Sequence, residues 1–524
     1  MKTLATALLL LLQFSPATSL KILSYNPLYY YSHANYLGKI ADTLHEAGHE
    51  VVMLSPVVVT TFPNKTSQHA RTIYIDATPV VKELVGRKGY QARGWQDSND
   101  PLALVNPLLN EARAYAMQCQ ETLSTPGLID SLKAEHFDAA YSESIDLCGF
   151  ALFHLLGITK TAVTMSHVAL DGKFDVSGCP SAPSYVPGLI SRFSDDMTFL
   201  ERLENSVIYL VTRVFAANFL SKHDELIMAL YPEMPSGTDL VANASYFFFN
   251  SEPLFDFPRP TVHKFISIGG ITVDKRSVRP LPESLSSLLS ERPKTVLISF
   301  GSVTKSSAMP REYKEAIREA AASLPNVTFL WKYEEEAEWI TEGAPNIRLA
   351  RWLPQTDLLM SGKISVFVTH SGAGSATEAL LSGVPMVAIP TVGDQLRNAR
   401  MIERTGTGVV LAKDQLADAR TLKDALNEVL YNDKYSTRAR FVAAMVEEQP
   451  QSPRERLLSH FEFMAKFGPL HQLKHRSIDM SFFTYYLLDV MLFVATVILA
   501  ILAVVFVILR RILGCTDSSK RKVE

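Results

Sequence analysis

The sequence predicts an α/β protein of two doubly wound, Rossmann-like domains that face a cleft, followed by one C-terminal transmembrane helix. Strand-like apolar runs alternate with helical patterns in both halves, a charged and proline-bearing segment divides them, and a charge-free stretch of 20 residues lies near the end. The chain has 524 residues and a formal net charge of −3. It is therefore long enough for two domains with real cores. It lacks the basic excess typical of nucleic-acid-binding proteins, so no nucleic-acid partner is expected.

The first 19 residues have the pattern of a cleaved secretory signal. Lys2 precedes an apolar run from Leu4 to Leu12, and Ala17 and Ser19 supply the small residues of a cleavage site. The mature chain is therefore expected to begin at Leu20.

The stretch 490–509, "VMLFVATVILAILAVVFVIL", carries no charge and matches the thickness of a bilayer. Basic residues dominate the tail 510–524, whereas Asp479 and Asp489 precede the stretch. The positive-inside rule then places the tail in the cytosol and the rest of the mature chain in a lumen, as a single-pass type I protein.

Two halves are predicted between these ends. The first, 20–273, includes "KILSYNP", "EVVMLSP" and "FDAAYSE"; the second, 295–475, includes "TVLISFGS", "VTFLWKY" and "ISVFVTHS". Runs that are apolar throughout are typical of parallel strands buried on both faces. The linker is placed at 274–294, which is charged and poor in apolar periodicity.

Cysteine usage excludes two classes of protein. Cys119, Cys148 and Cys179 can form at most one disulfide, and Cys515 lies beyond the transmembrane stretch. The chain is therefore no disulfide scaffold. No Cys/His spacing indicates zinc, so no metal site is predicted.

Two glycine-bearing turns of the second half are expected to hold one ligand. The first turn, in "THSGAGSATEA", follows a strand and begins a helix whose N-terminal N–H groups suit a diphosphate. An earlier strand end, "SFGS", offers further backbone N–H groups and a hydroxyl to the same phosphates. "TVGDQ" repeats the strand-to-helix pattern about twenty residues later. Each residue also has a structural alternative: Ser375 and Glu378 as a capping box, Asp394 as a helix cap, and Trp352 as a core aromatic.

The pattern "RWLPQTDLL…FVTHSGAGSATEALLSGVPMVAIPTVGDQ" resembles the signature of the UDP-glycosyltransferases. Together with the signal, apolar helix and basic tail, it is similar to the membrane-bound, UDP-glucuronosyltransferase-type branch. The resemblance implies a GT-B fold. It also implies inverting, metal-independent transfer of a glucuronosyl or glucosyl group from a UDP-sugar to a hydroxyl of a small lipophilic acceptor, in conjugation of metabolites or toxic compounds.

The resemblance also assigns the nucleoside end of the donor site. Trp352 would stack on uracil, Gln355 would hydrogen-bond the uridine, and Glu378 would accept the ribose hydroxyls. Relatives often carry Asn where Gly374 stands, so a side-chain contact is not carried over at that position.

The phosphates and the sugar are assigned to the two turns. His370 would hold the diphosphate together with Ser302 and the helix N-terminus after Gly372. Asp394 and Gln395 would bind the sugar hydroxyls. A uronate donor would favour a nearby arginine, for which Arg259 and Arg397 are the candidates; the donor sugar is left open.

The acceptor base is expected in the first half. Helical spacing after the first strand predicts a helix with Ser32 as its cap and Gly48 at its end, which puts His33 in the first turn. The resemblance matches His33 with the catalytic base and Glu143 with its partner carboxylate. Asp146, three residues later, is the alternative partner.

Two rival functions are a catalytically silent UDP-sugar- or lipid-binding membrane protein and a UDP-sugar hydrolase or epimerase on the same fold. The helical patterns "LVNPLLNEARAYA" and "LENSVIYLVTRVFAANFL" suit an acceptor pocket, a core or a membrane face equally. Lys520 and Lys522 resemble a dilysine-type retrieval signal and predict the endoplasmic reticulum. Sequons begin at Asn64, Asn243 and Asn326. Acceptor identity and homo- or hetero-oligomerisation are left open.

Overall fold

The computed structural model describes residues 19–59, 63–86, 94–95, 105–167, 176–301 and 304–520. The chain divides into two compact units, Met1–Lys474 and His475–Glu524. The predicted signal peptide and the last four residues therefore lie almost entirely outside the described residues.

The first half of the larger unit contains a parallel sheet of seven strands, in the order β3-β2-β1-β4-β5-β6-β7. The strands are β1 Lys21–Tyr25, β2 Glu50–Val57, β3 Arg71–Asp76, β4 Ala139–Glu143, β5 Thr161–Met165, β6 Tyr246–Phe249 and β7 Phe265–Ser267. The central strands β4, β5 and β6 are buried along their whole length. Burial on both faces explains why these runs are apolar or small throughout.

Helices cover both faces of this sheet. They are α1 Tyr31–Glu46, α2 Pro79–Gly86, α3 Val105–Leu123, α4 Leu128–Lys133, α5 Cys148–Leu155, α6 Phe199–Leu230 and α7 Gly237–Ala242. Helix α1 begins one residue before Ser32, with Tyr30 at the N-cap position and no side-chain cap. The predicted Ser32 cap is therefore wrong, because Ser32 lies inside the first turn. Gly48, predicted to end the helix, lies just beyond it and adopts φ 97°, a conformation that glycine reaches at no steric cost.

The second half contains a parallel sheet of six strands, in the order β10-β9-β8-β11-β12-β13. The strands are β8 Lys294–Ser299, β9 Val327–Lys332, β10 Ile347–Ala350, β11 Val366–Thr369, β12 Met386–Ala388 and β13 Gly408–Val410. The strand order reverses between β8 and β11, which are the two neighbouring strands at the centre of the sheet. Ligands bind at such a reversal, beyond the carboxyl ends of the strands.

The helices of the second half flank this sheet, except that the last of them packs on the first sheet. They are α8 Glu283–Leu288, α9 Arg311–Ala322, α10 Glu338–Thr341, α11 Gln355–Met360, α12 Ala373–Ser382, α13 Gln395–Arg404, α14 Ala419–Tyr431, α15 Asp433–Glu447 and α16 Pro453–Phe467. Helix α8 lies within the predicted linker 274–294. Helix α16 packs on the first sheet, where Phe461 contacts the rings of Tyr141 and Phe248.

The smaller unit consists mainly of α17 Phe482–Tyr485 and α18 Leu488–Lys520. Within α18, the 26 residues Leu488–Leu513 are long and apolar enough to cross a membrane. None of this stretch is buried. Length and composition thus make α18 a candidate membrane span.

Candidate active site

The carboxyl ends of both sheets carry the predicted site residues. Glu143 is the last residue of β4, His370 follows β11, and Trp352 follows β10. The parallel topology of each sheet brings such strand ends to one edge. Ser302, predicted to contact the diphosphate, lies outside the described residues.

His33 and Glu143 form a hydrogen-bonded pair. The Nδ1 atom of His33 lies 2.9 Å from Oε2 of Glu143. Oε1 of the same carboxylate accepts hydrogen bonds from the backbone N–H and the hydroxyl of Ser166, at 2.8 and 2.7 Å. Both carboxylate oxygens therefore have partners, and the side chain is fixed in one orientation.

The surroundings of Glu143 keep it ionised. Burial by itself raises the pKa of this carboxyl, but the charge and hydrogen bond of His33, the nearby His167 and the Ser166 N–H outweigh it. The resulting pKa is about 2. The charged carboxylate of Glu143 orients the His33 ring through Nδ1, so Nε2 is the nitrogen that remains for proton transfer.

Asp146, the alternative partner, belongs to a separate buried network. Its Oδ2 accepts a hydrogen bond from the Tyr29 hydroxyl at 2.7 Å, and its Oδ1 accepts one from the Cys148 N–H at 2.8 Å. His223 lies 3.7 Å from Oδ1. Burial raises the pKa of Asp146. The structure therefore brings Glu143, and not Asp146, to His33.

Cys119 and Cys148 form a disulfide beside this network. Their sulfur atoms and the Asp146 carboxylate lie within 4.8 Å of one another. A disulfide offers no thiolate to a metal ion, because the thiolate is the form that ligates. Cys179, which takes no part in that disulfide, is buried elsewhere in the first half.

The predicted phosphate turn is built around His370. A Cβ atom added to either Gly301 or Gly372 would lie 2.6 Å from Nε2 of this imidazole, so the ring fits only between two glycines. Nδ1 is buried and has no hydrogen-bond partner among the described residues. Burial, aided by the charge of Lys332, lowers the pKa of His370 to about 4. The ring is thus neutral at physiological pH.

The helix after this turn begins as expected for an anion site. Gly372 occupies the N-cap position of α12 and offers no side chain to the first turn. Ser371, just before it, adopts φ 66°. The structural alternative, a capping box of Ser375 and Glu378, is contradicted, because both residues lie inside α12 rather than at its start. Gly374 faces open space and supplies no side chain.

Lys332 was not singled out from the sequence. It ends β9, is 9% exposed, and donates a hydrogen bond from Nζ to the carbonyl of Gly301 at 2.5 Å. Nζ also lies 5.4 Å from the centre of the Trp352 ring. No carboxylate pairs with it among the described residues, and burial lowers its pKa. A single lysine at the end of a strand carries no distinctive sequence signal.

The nucleoside end combines an exposed aromatic with a buried carboxylate. Trp352 is 67% exposed, which contradicts the core alternative. Glu378 accepts hydrogen bonds from Gln355 at 2.5 Å and Thr356 at 2.8 Å. Burial raises the pKa of Glu378, although these two donors oppose the rise. Gln355 also donates to Ser375.

The sugar turn is closed by its own side chains. Gln395 accepts hydrogen bonds through Oε1 from the N–H and hydroxyl of Thr391 and the N–H of Val392. Asp394 occupies the N-cap position of α13, but its side chain makes no capping bond. Instead its Oδ2 accepts a hydrogen bond from Asn398 at 2.8 Å. Asn398 also donates to the carbonyl of Ser371, which joins the two turns.

Arg259 and Arg397, the candidates for a uronate contact, both pair with Asp256. Arg397 Nη2 lies 2.6 Å from Oδ1 of Asp256, and Arg259 Nη2 lies 3.3 Å from Oδ2. The Arg397 side chain is almost completely buried in this contact. A uronate contact by Arg397 is therefore not supported.

The first turn of α1 lies beside the donor half. The pKa of Tyr31 is raised first by burial and then by the charge of Glu378. Tyr31 is two residues before His33. His33 therefore lies in a helix turn that is close enough to Glu378 for an electrostatic interaction.

Comparison with known proteins identifies the family. A family model described as UDP-glucoronosyl and UDP-glucosyl transferase matches residues 21–523. The chain belongs to this family. UDP-glucuronosyltransferase 1A3 of Homo sapiens is 28% identical over 506 residues, covering 96% of this chain and 93% of that protein. Putative UDP-glucuronosyltransferase ugt-47 of Caenorhabditis elegans is 27% identical over 488 residues, covering 91% and 90%.

Solved structures confirm the predicted GT-B fold for this UDP-glycosyltransferase. The glycotransferase of kitacinnamycin superposes with a TM-score of 0.56 at 17% identity, covering 86% of this chain and 98% of that one. LpCGTa in complex with UDP gives 0.53 at 16% identity, covering 86% and 100%. The two parallel sheets are thus the two Rossmann-like domains of that fold.

Proposed function

We propose that this UDP-glycosyltransferase moves a hexosyl group, glucuronosyl or glucosyl, from a UDP-sugar to a hydroxyl of a small lipophilic acceptor with inversion. The observation that carries the proposal is the pair of His33 and Glu143, 2.9 Å apart, beside the donor half. Binding a UDP-sugar without reaction requires no such pair. A histidine oriented by a buried carboxylate is the arrangement of a general base.

The proposed reaction is a single displacement. Nε2 of His33 takes the proton of the acceptor hydroxyl as its oxygen attacks the anomeric carbon. The bond between that carbon and the β-phosphate oxygen breaks, and UDP leaves with the electron pair. Attack opposite to the leaving group inverts the configuration. Glu143 stabilises the imidazolium as it forms.

The leaving diphosphate would be stabilised by protein groups rather than a metal ion. The N-terminus of α12 supplies N–H donors, and Lys332 supplies a full positive charge next to His370. Trp352 would stack on uracil, Gln355 and Glu378 would bind the ribose side, and Asp394 and Gln395 the sugar. These assignments follow the family resemblance.

Mutation of the pair tests the proposal. We expect His33→Ala to lose about 10²–10⁴-fold of O-glycoside formation, the range for loss of a general base, while UDP binding persists. Glu143→Gln should lose less and Asp146→Asn least. His45→Ala, on the exposed side of α1, is the matched control and should keep parental activity. Parental transfer by a folded His33→Ala variant to a weakly acidic alcohol would refute this base.

Product analysis separates the rival functions. UDP release that depends on an added phenol supports transfer, release without acceptor supports a hydrolase, and no release supports a silent binder. Running the assay with UDP-glucose and UDP-glucuronate in parallel identifies the donor. Recovery of the glycoside of the phenol by mass spectrometry is the positive result.

We also propose a single-pass type I topology in the endoplasmic reticulum membrane, with the larger unit in the lumen. The apolar helix α18 supports a membrane span. The Cys119–Cys148 disulfide is typical of an oxidising compartment. Helix α6 adds an unburied apolar face, since seven of its side chains are more than half exposed: Phe199, Leu200, Leu203, Val207, Leu210, Val211 and Val214. Two experiments test this location. Glycans at the three sequons, detected as a shift in apparent mass on glycosidase treatment, would support the luminal location. Movement of the protein to later compartments when Lys520 and Lys522 are changed to serine would support the retrieval signal.

A further inference from the structure

Helix α13 links the sugar turn to the first half of the larger unit through three arginines on one face of the helix. Arg397 Nε donates to the carbonyl of Pro187 at 3.1 Å, and Arg400 Nε donates to the carbonyl of Arg192 at 2.7 Å. Arg404 Nε lies 2.7 Å from the carboxylate of Asp195. The three arginines are three and four residues apart and therefore share one face of the helix.

The Arg397 contact is the buried one of the three. Its guanidinium pairs with Asp256 at 2.6 Å and lies 5.0 Å from the centre of the Phe257 ring. Asp256 is held in turn by the Ser251 hydroxyl at 2.6 Å and the Phe257 N–H at 2.7 Å. Burial opposes ionisation of Asp256, but Arg397 and Arg259 outweigh it and lower its pKa to about 2. The pair is therefore a fixed charge contact between the two halves.

The same helix carries the sugar turn at its N-terminus. Gln395, the first residue of α13, closes the turn through Thr391 and Val392. Asn398, next to Arg397, holds the Asp394 carboxylate. A displacement of α13 against the first half would therefore move the sugar turn with it.

A buried ion pair is weak evidence for stability, since apolar side chains of similar size often serve as well. The buried ion pair instead fixes the relative orientation of the two segments it joins, because the forked N–H donors of an arginine match a carboxylate in few orientations. This pair joins the element that would hold the donor sugar to the half that carries His33. Transfer requires the anomeric carbon and the acceptor base to meet within a narrow range of distance.

We propose that Arg397, paired with Asp256, is a positioning residue that sets the sugar turn against the half bearing His33. The inference rests on the proposed function. Loss of the pair should lower kcat and leave UDP affinity almost unchanged, because the groups assigned to the nucleoside and diphosphate belong to the second half. It should also raise the share of donor that is hydrolysed rather than transferred.

The test compares variants in the full chain. Arg397→Met with Asp256→Asn removes both charges of the pair and, with them, the Arg259–Asp256 contact. Arg397→Lys keeps the charge but shortens the side chain and removes the forked pair of N–H donors. We expect kcat to fall at least about tenfold in the double variant and less with Arg397→Lys, with the Kd for UDP within about threefold of the parent. Glu403→Gln, half-exposed on the same helix, is the matched control. A folded double variant with parental kcat, or equal losses in kcat and UDP affinity, overturns the proposal.

A distance measurement makes the result independent of activity. Spin labels at Asp130→Cys and Asp424→Cys, exposed positions in the first and second halves, report their separation in a Cys515→Ser background. We expect a narrow distance distribution in the parent and a broader one in the double variant, or in Arg397→Lys if the double variant does not fold. An unchanged distribution overturns the positioning role. Absence of transfer by the parent with every donor would instead contradict the proposed function.

Discussion

At the scale of single residues, His370 has the most constrained surroundings of the predicted site. Its imidazole is enclosed by two glycines, and Nδ1 has no hydrogen-bond partner in the described part of the chain. With a pKa of about 4, the folded protein holds the ring neutral. An unfolded histidine titrates near 6.5, so any stability due to the neutral ring is present above about pH 6.5 and is lost as the pH falls towards 4.

This predicts a pH dependence of donor binding. A diphosphate against His370 should raise the pKa of the ring, so UDP-glucose binding should tighten as the pH falls from about 6.5 to 4.5. UDP-glucose is the suitable probe because, unlike UDP, it has no terminal phosphate that titrates near pH 6. Titration calorimetry in buffers of different ionisation enthalpy should detect proton uptake. Its persistence in His370→Phe would assign the uptake to another group.

Trp352 allows a test of the nucleoside end. Because the ring is mostly exposed, Trp352→Ala should leave the unfolding temperature nearly unchanged. Loss of stacking should weaken UDP binding by about 1–3 kcal/mol. Trp339, a half-buried aromatic packed on the core of the second half, provides the contrast: Trp339→Ala should lower stability more than UDP affinity. Unaltered UDP affinity in Trp352→Ala would remove this residue from the site.

The sequence predicted these residues unequally. The pairing of His33 with Glu143 came from the family resemblance, since spacing alone left Asp146 open. Lys332 escaped notice because only the fold brings the end of β9 against His370. Arg397 was a candidate for contact with a uronate, whereas its guanidinium pairs with a carboxylate 141 positions away in the chain. Contacts between distant segments leave no local pattern in a sequence.

At the scale of elements, the phosphate turn depends on a missing side chain. Gly372 has an ordinary φ of −58°, so only the lack of room for a Cβ against His370 restricts the position. Gly374, two residues later, faces open space. The two glycines therefore form a matched pair for mutation.

We expect Gly372→Ala to displace His370 and to weaken UDP binding at least about tenfold, because the added Cβ would lie 2.6 Å from Nε2. Gly374→Ala should bind UDP as well as the parent and gain about 0.4–1 kcal/mol of stability, since alanine suits a helix better. Calorimetric titration and thermal unfolding measure both effects. Equal UDP affinity in the two variants would show that the turn yields to the extra atom.

Elements were easier to predict than their ends. The alternation of apolar runs and amphipathic patterns indicated both parallel sheets, because burial on two faces demands apolar strands. The caps were predicted less well. Ser32 and Ser375 have the right chemistry for a cap, but each lies one or more residues inside its helix, and Tyr30 and Gly372 take the cap positions without a side-chain bond.

At the scale of the whole molecule, the second half completes the core of the first. Leu457, Phe461 and Met464 of α16 are fully buried among residues of α1 and the first sheet. Lys160, beside that sheet, donates to the carbonyl of Ala465. The two predicted domains are therefore joined by more than their linker, and sequence position alone did not indicate this return.

Truncation tests the role of α16. A chain that ends at Lys474 keeps the complete larger unit and should unfold cooperatively at nearly the parental temperature. A chain that ends at Gln451 lacks α16, exposes the apolar face it covers, and should be protease-sensitive or insoluble. Thermal unfolding and limited proteolysis of the two products give the comparison. Equal resistance of both chains would show that α16 is dispensable.

The return of α16 also fixes an order of events during biosynthesis. The strands of the first sheet leave the ribosome early, but the helix that covers part of that sheet comes from the far end of the larger unit. At about 5–20 residues per second, the ribosome needs roughly 10–40 s to pass from the end of β7 to α16. Throughout that interval the apolar patch that Phe461 later covers is exposed and can associate with other chains. We therefore expect the nascent chain to need chaperone protection for longer than a protein whose first domain closes by itself, and a slow codon or pause before α16 should prolong that need.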